Sequence, residues 1–257
     1  MEQDLDSGDL IPPPDHRDTA VAVLSAAATV SAFSESAWRI PQQSHPLPVG
    51  FRLPFFTPFC YSPRGTSLLA KKSRRLRDLV KRADSVTLAQ CAERVTALTD
   101  AGTARNFLGP DIVLVPVPRR VAYDPRYRPT APEAIAHALR AAGHGQLVWP
   151  ALRRARAVPK SVWSRPGSRP EFLAHYSSLE LIRDEPPNHR FLLIDDFVTR
   201  GRTLLAAAAV LHQAMPRAQL RAFALVRTEG LTPDIAAITA PSIGAIRYVG
   251  GDAFRSP

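Results

Sequence analysis

The sequence predicts an α/β protein with a mostly parallel sheet flanked by helices and a distinct N-terminal segment. Three observations carry this. Residues 111–118, 190–194 and 220–226 are short, largely apolar runs, the pattern of strands buried on both faces. Helical patterns fall between and beside them, at 132–142 and 202–215. Strand and helix alternating at this spacing give parallel strands whose connections cover the sheet.

Composition narrows the function classes. Of the 257 residues 45% are hydrophobic, enough for a packed core rather than wholesale disorder. Lys and Arg number 33 against 23 Asp and Glu, a formal charge of +10. All but four of the basic residues (Lys71, Lys72, Lys81, Lys160) are Arg. Such an excess suits bidentate binding of phosphate or nucleic-acid backbone, and equally a genome that favours Arg. Two cysteines, Cys60 and Cys91, exclude a disulfide framework and a four-Cys zinc site. The apolar stretch 21–33 is too short to span a bilayer, and the acidic residues before it do not suit a signal peptide. The expectation is a cytoplasmic protein with no membrane partner.

Taken in order, residues 1–20 read as disordered, and 21–33 as a short Ala-rich helix within an N-terminal segment running to 105. Six prolines within 41–63 argue against helix and against a central strand. They predict an extended stretch pinned by Phe51, Phe55, Phe56, Phe59 and Tyr61. Residues 67–82 form a basic amphipathic helix with Leu68, Leu69, Leu76, Leu79 and Val80 on one side, and 87–98 a second helix. The core spans 106–228. Its helix at 132–142 starts with Pro132 and ends at Gly143. A strand follows at 146–149. Residues 151–171 lack a period and read as a long mobile loop. Beyond 228 lies an extension, with an edge strand at 243–249.

The informative stretch is Phe191-Leu-Leu-Ile-Asp-Asp-Phe-Val-Thr-Arg-Gly-Arg-Thr203. Asp195 and Asp196 stand where the strand leaves the sheet, and a turn from Thr199 to Thr203 opens the next helix. Ligands of open α/β sheets bind beyond the carboxyl ends of the strands. Outward-facing amides at the helix start make an anion site there. Gly201 admits close backbone approach, and Thr199 and Thr203 add hydroxyls. The carboxylates beside it suit sugar hydroxyls or a phosphate-bound Mg²⁺. The residues thus describe a pocket for a sugar phosphate. Paired acids also end strands in receiver domains, which do not call for the Thr-x-Gly-x-Thr turn. Neither Gly-x-Gly-x-x-Gly nor Gly-x₄-Gly-Lys-Ser/Thr occurs.

Residues 191–203 resemble the phosphoribosyl-pyrophosphate (PRPP) signature of type I phosphoribosyltransferases. Val115-Pro-Val-Pro-Arg-Arg120 resembles the pyrophosphate loop of their ComF-like (competence-protein-like) branch. Leu152-Arg-Arg-Ala-Arg156 with Pro159-Lys160 resembles its mobile loop, and Leu79-Val-Lys-Arg82 its basic helix. The resemblance implies a hood-like N-terminal segment and a Mg²⁺-dependent glycosyltransferase that moves phosphoribosyl from PRPP to an unidentified acceptor. It implies that Thr199, Arg200, Gly201, Arg202 and Thr203 cradle the 5′-phosphate, and that Asp195 and Asp196 serve ribose hydroxyls and metal. Pro118, Arg119 and Arg120 would meet pyrophosphate, and Arg154 and Lys160 would reach the leaving group. The chain departs from the pattern at several points, loss of the usual Gln in the mobile loop among them. It lacks the zinc-binding Cys cluster, has Thr199 where purine-salvage members carry a carboxylate, reads Arg128-Pro-Thr-Ala-Pro132 after the pyrophosphate loop, and places Arg200 and Arg202 inside the signature turn.

Two other readings stay open: a PRPP- or nucleotide-sensing module without turnover, and a DNA-handling protein. The basic residues 71–82 could contact nucleic acid, or form a solvated face beside an anionic substrate. His137 reads as structural, and Trp149 and Trp163 as either core or base-stacking residues. An oligomer is compatible with all of this.

Overall fold

Strand order is what positions the site. The computed structural model describes residues 46–124, 129–158, 171–182, 186, 189–230 and 234–256. The element order is β1 (Arg52–Tyr61), α1 (Leu68–Lys81), α2 (Ser85–Asp100), β2 (Val113–Pro116), α3 (Ala131–Ala141), β3 (Leu147–Val148), β4 (Leu152–Arg154), α4 (Phe172–Tyr176), β5 (Leu179–Leu181), β6 (Arg190–Val198), α5 (Arg202–Ala214), β7 (Gln219–Thr228), β8 (Thr239–Val249) and β9 (Asp252–Ser256). Seven strands form one sheet in the order β3-β2-β6-β7-β1-β8-β9. The first five in that order run parallel, while β8 and β9 are antiparallel to their neighbours. β4 and β5 form a separate antiparallel ribbon.

Both faces of the sheet are covered. Leu192, Ile194, Phe223 and Leu225 pack with α1, α2 and α3, whereas Leu193, Ala222 and Ala224 pack with α5, α4 and the ribbon. This is the period of two expected of a strand buried on both sides. Residues 204–211 of α5 are all buried. Their small alanines let the helix lie between the sheet and α4.

Three helix starts follow from local chemistry. The Ser67 hydroxyl accepts from the Ala70 amide, and the Asp84 carboxylate from the Thr87 amide. At α3, Thr130 and Glu133 form a reciprocal capping box.

Several expectations are corrected. Residues 52–61, within the stretch 41–63 expected to be extended and not a central strand, form the interior strand β1. Pro58 lies where the β1–β8 register shifts, between Thr57 and Phe59, so an irregularity absorbs it. Leu53, Phe55, Phe56 and Phe59 are essentially fully buried. Each contributes about 1.5–3 kcal/mol by burial, against about 1 kcal/mol for a missing ladder bond, so burial wins. The sheet therefore recruits strands from both flanks of residues 106–228. Within the expected loop 151–171, residues 152–154 are a strand of the ribbon. In α1, Leu68 is exposed and Ser73 is buried instead. The Ser73 hydroxyl donates to Ala70 O and accepts from the Ser62 amide. β8 is not an edge, because β9 lies outside it. Residues 1–45 and 159–170, with their expected disorder, helix, Lys160 and Trp163, lie outside the described residues, as does Arg128.

Candidate functional site

The site gathers at the carboxyl ends of β2 and β6. Neighbouring residues of a strand face opposite sides. Continuing from Leu193 and Ile194, Asp195 turns toward the α5 side and Asp196 toward α1. There the Lys81 ammonium, at the last residue of α1, lies 2.6 Å from Asp196 Oδ2. It also stands 4.6 Å from the Phe197 ring centroid. Burial first, and then the Asp196 carboxylate, push the Asp195 carboxyl well above the ordinary carboxylate range, against the pull of Lys81. Asp195 Oδ1 accepts from the Asp196 amide at 2.9 Å, and Asp196 Oδ1 from the Phe197 amide at 2.8 Å.

The turn 199–203 follows. Gly201 has φ +83°, and a Cβ there would sit 2.6 Å from Ile246 Cδ1. Glycine is thus demanded by the left-handed backbone and by the packing of β8 behind it. No side chain caps α5, so its first-turn amides, which have no acceptor within a helix, suit an anion. Thr199 and Arg200 are exposed. Thr199 Oγ1 is 3.1 Å from Thr228 Oγ1, and Thr203 Oγ1 is 3.5 Å from His175 Nδ1. Arg202, expected on the phosphate, instead grips Asp252 of β9 through Nε and Nη2.

The loop after β2 runs beside the end of β6. The Val117 amide donates to Ile194 O at 2.9 Å, which carries the β2–β6 ladder to the edge of the acid pair. Pro118 is half-buried, while Arg119 and Arg120 are exposed. Arg154 lies beneath, only 1% exposed. Its Nε donates to Arg119 O at 2.6 Å and its Nη1 to Ser178 Oγ, while Nη2 is buried without a partner. Burial lowers this guanidinium to about 10; Asp195 opposes the shift and Arg120 adds to it. A cleft of about 290 Å³ opens beside it, lined by Pro116, Pro118, Arg119, Thr130, Leu152 and Arg154 among others.

The structure thus brings together Asp195, Asp196, Thr199, Gly201, Thr203, Pro118, Arg119, Arg120 and Arg154, and diverts Arg202. Sequence reasoning missed three contributors. Lys81 was visible in the basic run and in the Leu79–Arg82 resemblance, but without a partner or a role at the acid pair. His175, 4% exposed, is held neutral by burial and by Arg154, Arg120 and Arg202, which push it to about 3. Asp252 carried no signal. Within α1, Arg74 binds Gly65 O, Arg77 binds Tyr61 and Lys81 binds Asp196. Three of the basic residues within 71–82 therefore have partners within the protein.

For Mg²⁺ the donor set is partial. Among the described residues no three His, Cys, Asp or Glu side chains converge to hold a metal ion. Two carboxylates, one already paired with Lys81, fit an ion whose remaining ligands are phosphate oxygens and water, not a fully protein-bound one. Among the described residues no helix is long and apolar enough to cross a membrane. No protein-family model and no curated protein matches the chain.

Proposed function

We propose that this protein has a type I phosphoribosyltransferase fold, binds PRPP, and transfers its phosphoribosyl group to a nitrogenous acceptor with release of pyrophosphate. One observation carries the reading: an uncapped helix start and a carboxylate pair end the same strand, with a buried cation, Arg154, on the neighbouring wall. The resemblance of residues 191–203 to the PRPP signature supports the same ligand.

In this reading the first amides of α5, with the hydroxyls of Thr199 and Thr203, hold the 5′-phosphate. Asp195 and Asp196 accept from the ribose hydroxyls. The bond from the anomeric carbon to the pyrophosphate oxygen breaks, its electron pair leaves with pyrophosphate, and an acceptor nitrogen bonds to that carbon. Negative charge gathers on the leaving group, where Arg119, Arg120 and Arg154 lie. Arg154 is already oriented by Arg119 O and Ser178, so it stabilises that charge with little reorganisation. A Mg²⁺ ion would be held by the pyrophosphate oxygens and Asp195, and would supply further charge neutralisation there.

Calorimetric titration with PRPP and Mg²⁺ tests the reading, together with pyrophosphate release across a panel of nitrogenous acceptors. Saturable binding, and release tied to one acceptor, are expected. The Asp195→Asn, Asp196→Asn double variant should fold and lose affinity; unchanged affinity would remove the ribose role. Binding without release from any acceptor would make the protein a PRPP-responsive module instead.

A further inference from the structure

We propose that Lys81 is the built-in counter-cation of the carboxylate pair, so that the sugar end of the site takes a pentose 5-phosphate without a divalent ion. This rests on the sugar-phosphate reading above and leaves divalent ions a role only at the pyrophosphate end.

Two adjacent carboxyl groups at one strand end disfavour negative charge on each other, and the fold sets a cation beside one of them. The ammonium of Lys81 is 2.6 Å from Asp196 Oδ2, with the carboxylate side chain 13% exposed and the lysine 52%. An ammonium has three donors. One goes to Asp196, and the open side of Lys81 can donate to a sugar hydroxyl. Three of the pair's four oxygens accept protein hydrogen bonds, from the Asp196 amide, the Phe197 amide and Lys81. That leaves one oxygen, on Asp195, which can join pyrophosphate oxygens around a divalent ion but cannot hold one at the sugar end by itself.

The placement of Lys81 is built in. Ser73 of α1 accepts from the Ser62 amide, and Arg74 donates to Gly65 O at 2.7 Å. Arg77 donates to the Tyr61 hydroxyl at 2.9 Å, with its guanidinium 5.3 Å from that ring's centroid. Tyr61 meets Phe197 edge-on, and Phe197 in turn faces Lys81. These contacts pin α1 to the end of β1. Lys81 is also its last residue, where the helix dipole favours a cation.

Ribose 5-phosphate titrated calorimetrically into the full chain, once with EDTA and once with Mg²⁺, tests this. The wild type should bind with affinities equal within about twofold in the two buffers. Lys81→Met should bind at least about tenfold more weakly in EDTA and recover with Mg²⁺, while Lys81→Arg keeps metal-free binding. Circular dichroism checks that both variants fold. Wild-type binding that tightens about tenfold with Mg²⁺, or Lys81→Met binding as wild type does in EDTA, overturns the role of Lys81 alone. Absence of ribose 5-phosphate binding in both buffers overturns the sugar-phosphate reading, and this proposal with it.

Discussion

Arg202 and Asp252 form a two-point ion pair that ties the first residue of α5 to the first residue of β9. The pair joins the turn 199–203 to a strand at the far edge of the sheet. It holds the helix start in place while turning the Arg202 charge away from the amides.

Breaking this pair should destabilise the protein. The arginine side chain is 12% exposed and the carboxylate 21%, so removing either partner leaves a poorly solvated charge. Arg202→Met and Asp252→Asn should each cost about 1–3 kcal/mol. A double-mutant cycle in thermal melts checks the coupling. Costs that simply add would mean the pair is not coupled.

Gly201→Ala should cost about 2 kcal/mol or more, from the left-handed backbone and from collision with Ile246. Combining it with Ile246→Ala opens space for the added methyl. The double variant should then lose less than the sum of the two single losses. Strict additivity in urea midpoints would show that Ile246 is not the obstacle.

The raised Asp195 carboxyl predicts the sign of a pH dependence in stability. Its carboxyl is raised by burial and by Asp196, so between the unfolded value and the raised folded value the native state holds a proton that the unfolded chain has released. The contribution is full below the unfolded value and is lost as pH rises through the folded one. Asn cannot ionise, yet its oxygen can still accept from the Asp196 amide. Asp195→Asn should melt above wild type at pH 8 and close to it at pH 4. An advantage that does not grow with pH would contradict this.

His175 acts in the opposite direction. Its folded value is lowered to about 3, first by burial, so the unfolded chain takes up a proton below about pH 6.5 that the native state refuses. Stability from this source is present above the unfolded value and is lost as pH falls toward the folded one. His175→Gln should lower stability overall but flatten its decline between pH 7 and pH 4. Urea midpoints at the two pH values measure this; an unchanged slope would remove His175 as the cause.

Much of the site was legible because it is local. The apolar run of β6, the two acids, the left-handed glycine and the start of α5 lie within thirteen consecutive residues, 191–203. Their geometry follows from the strand period and helix-terminus chemistry. Helices α1, α2, α3 and α5 were legible from period and caps, with ends shifted by two residues or fewer, whereas the five-residue α4 was not. β1 was not legible, because its prolines oppose a sheet interior and only the burial of Leu53, Phe55, Phe56 and Phe59 outweighs them.

By itself, the amino-acid order determined where a strand turns into a helix beside two carboxylates, because that outcome depends on backbone preferences over a few residues. Only the tertiary structure decided which cation meets which acid. Lys81 reaches Asp196 across 115 positions, and Arg202 reaches Asp252 across 50. Those meetings depend on the strand order β6-β7-β1-β8-β9. That order is settled by how the apolar faces of distant segments are buried together, a property of the packed whole that no short stretch encodes.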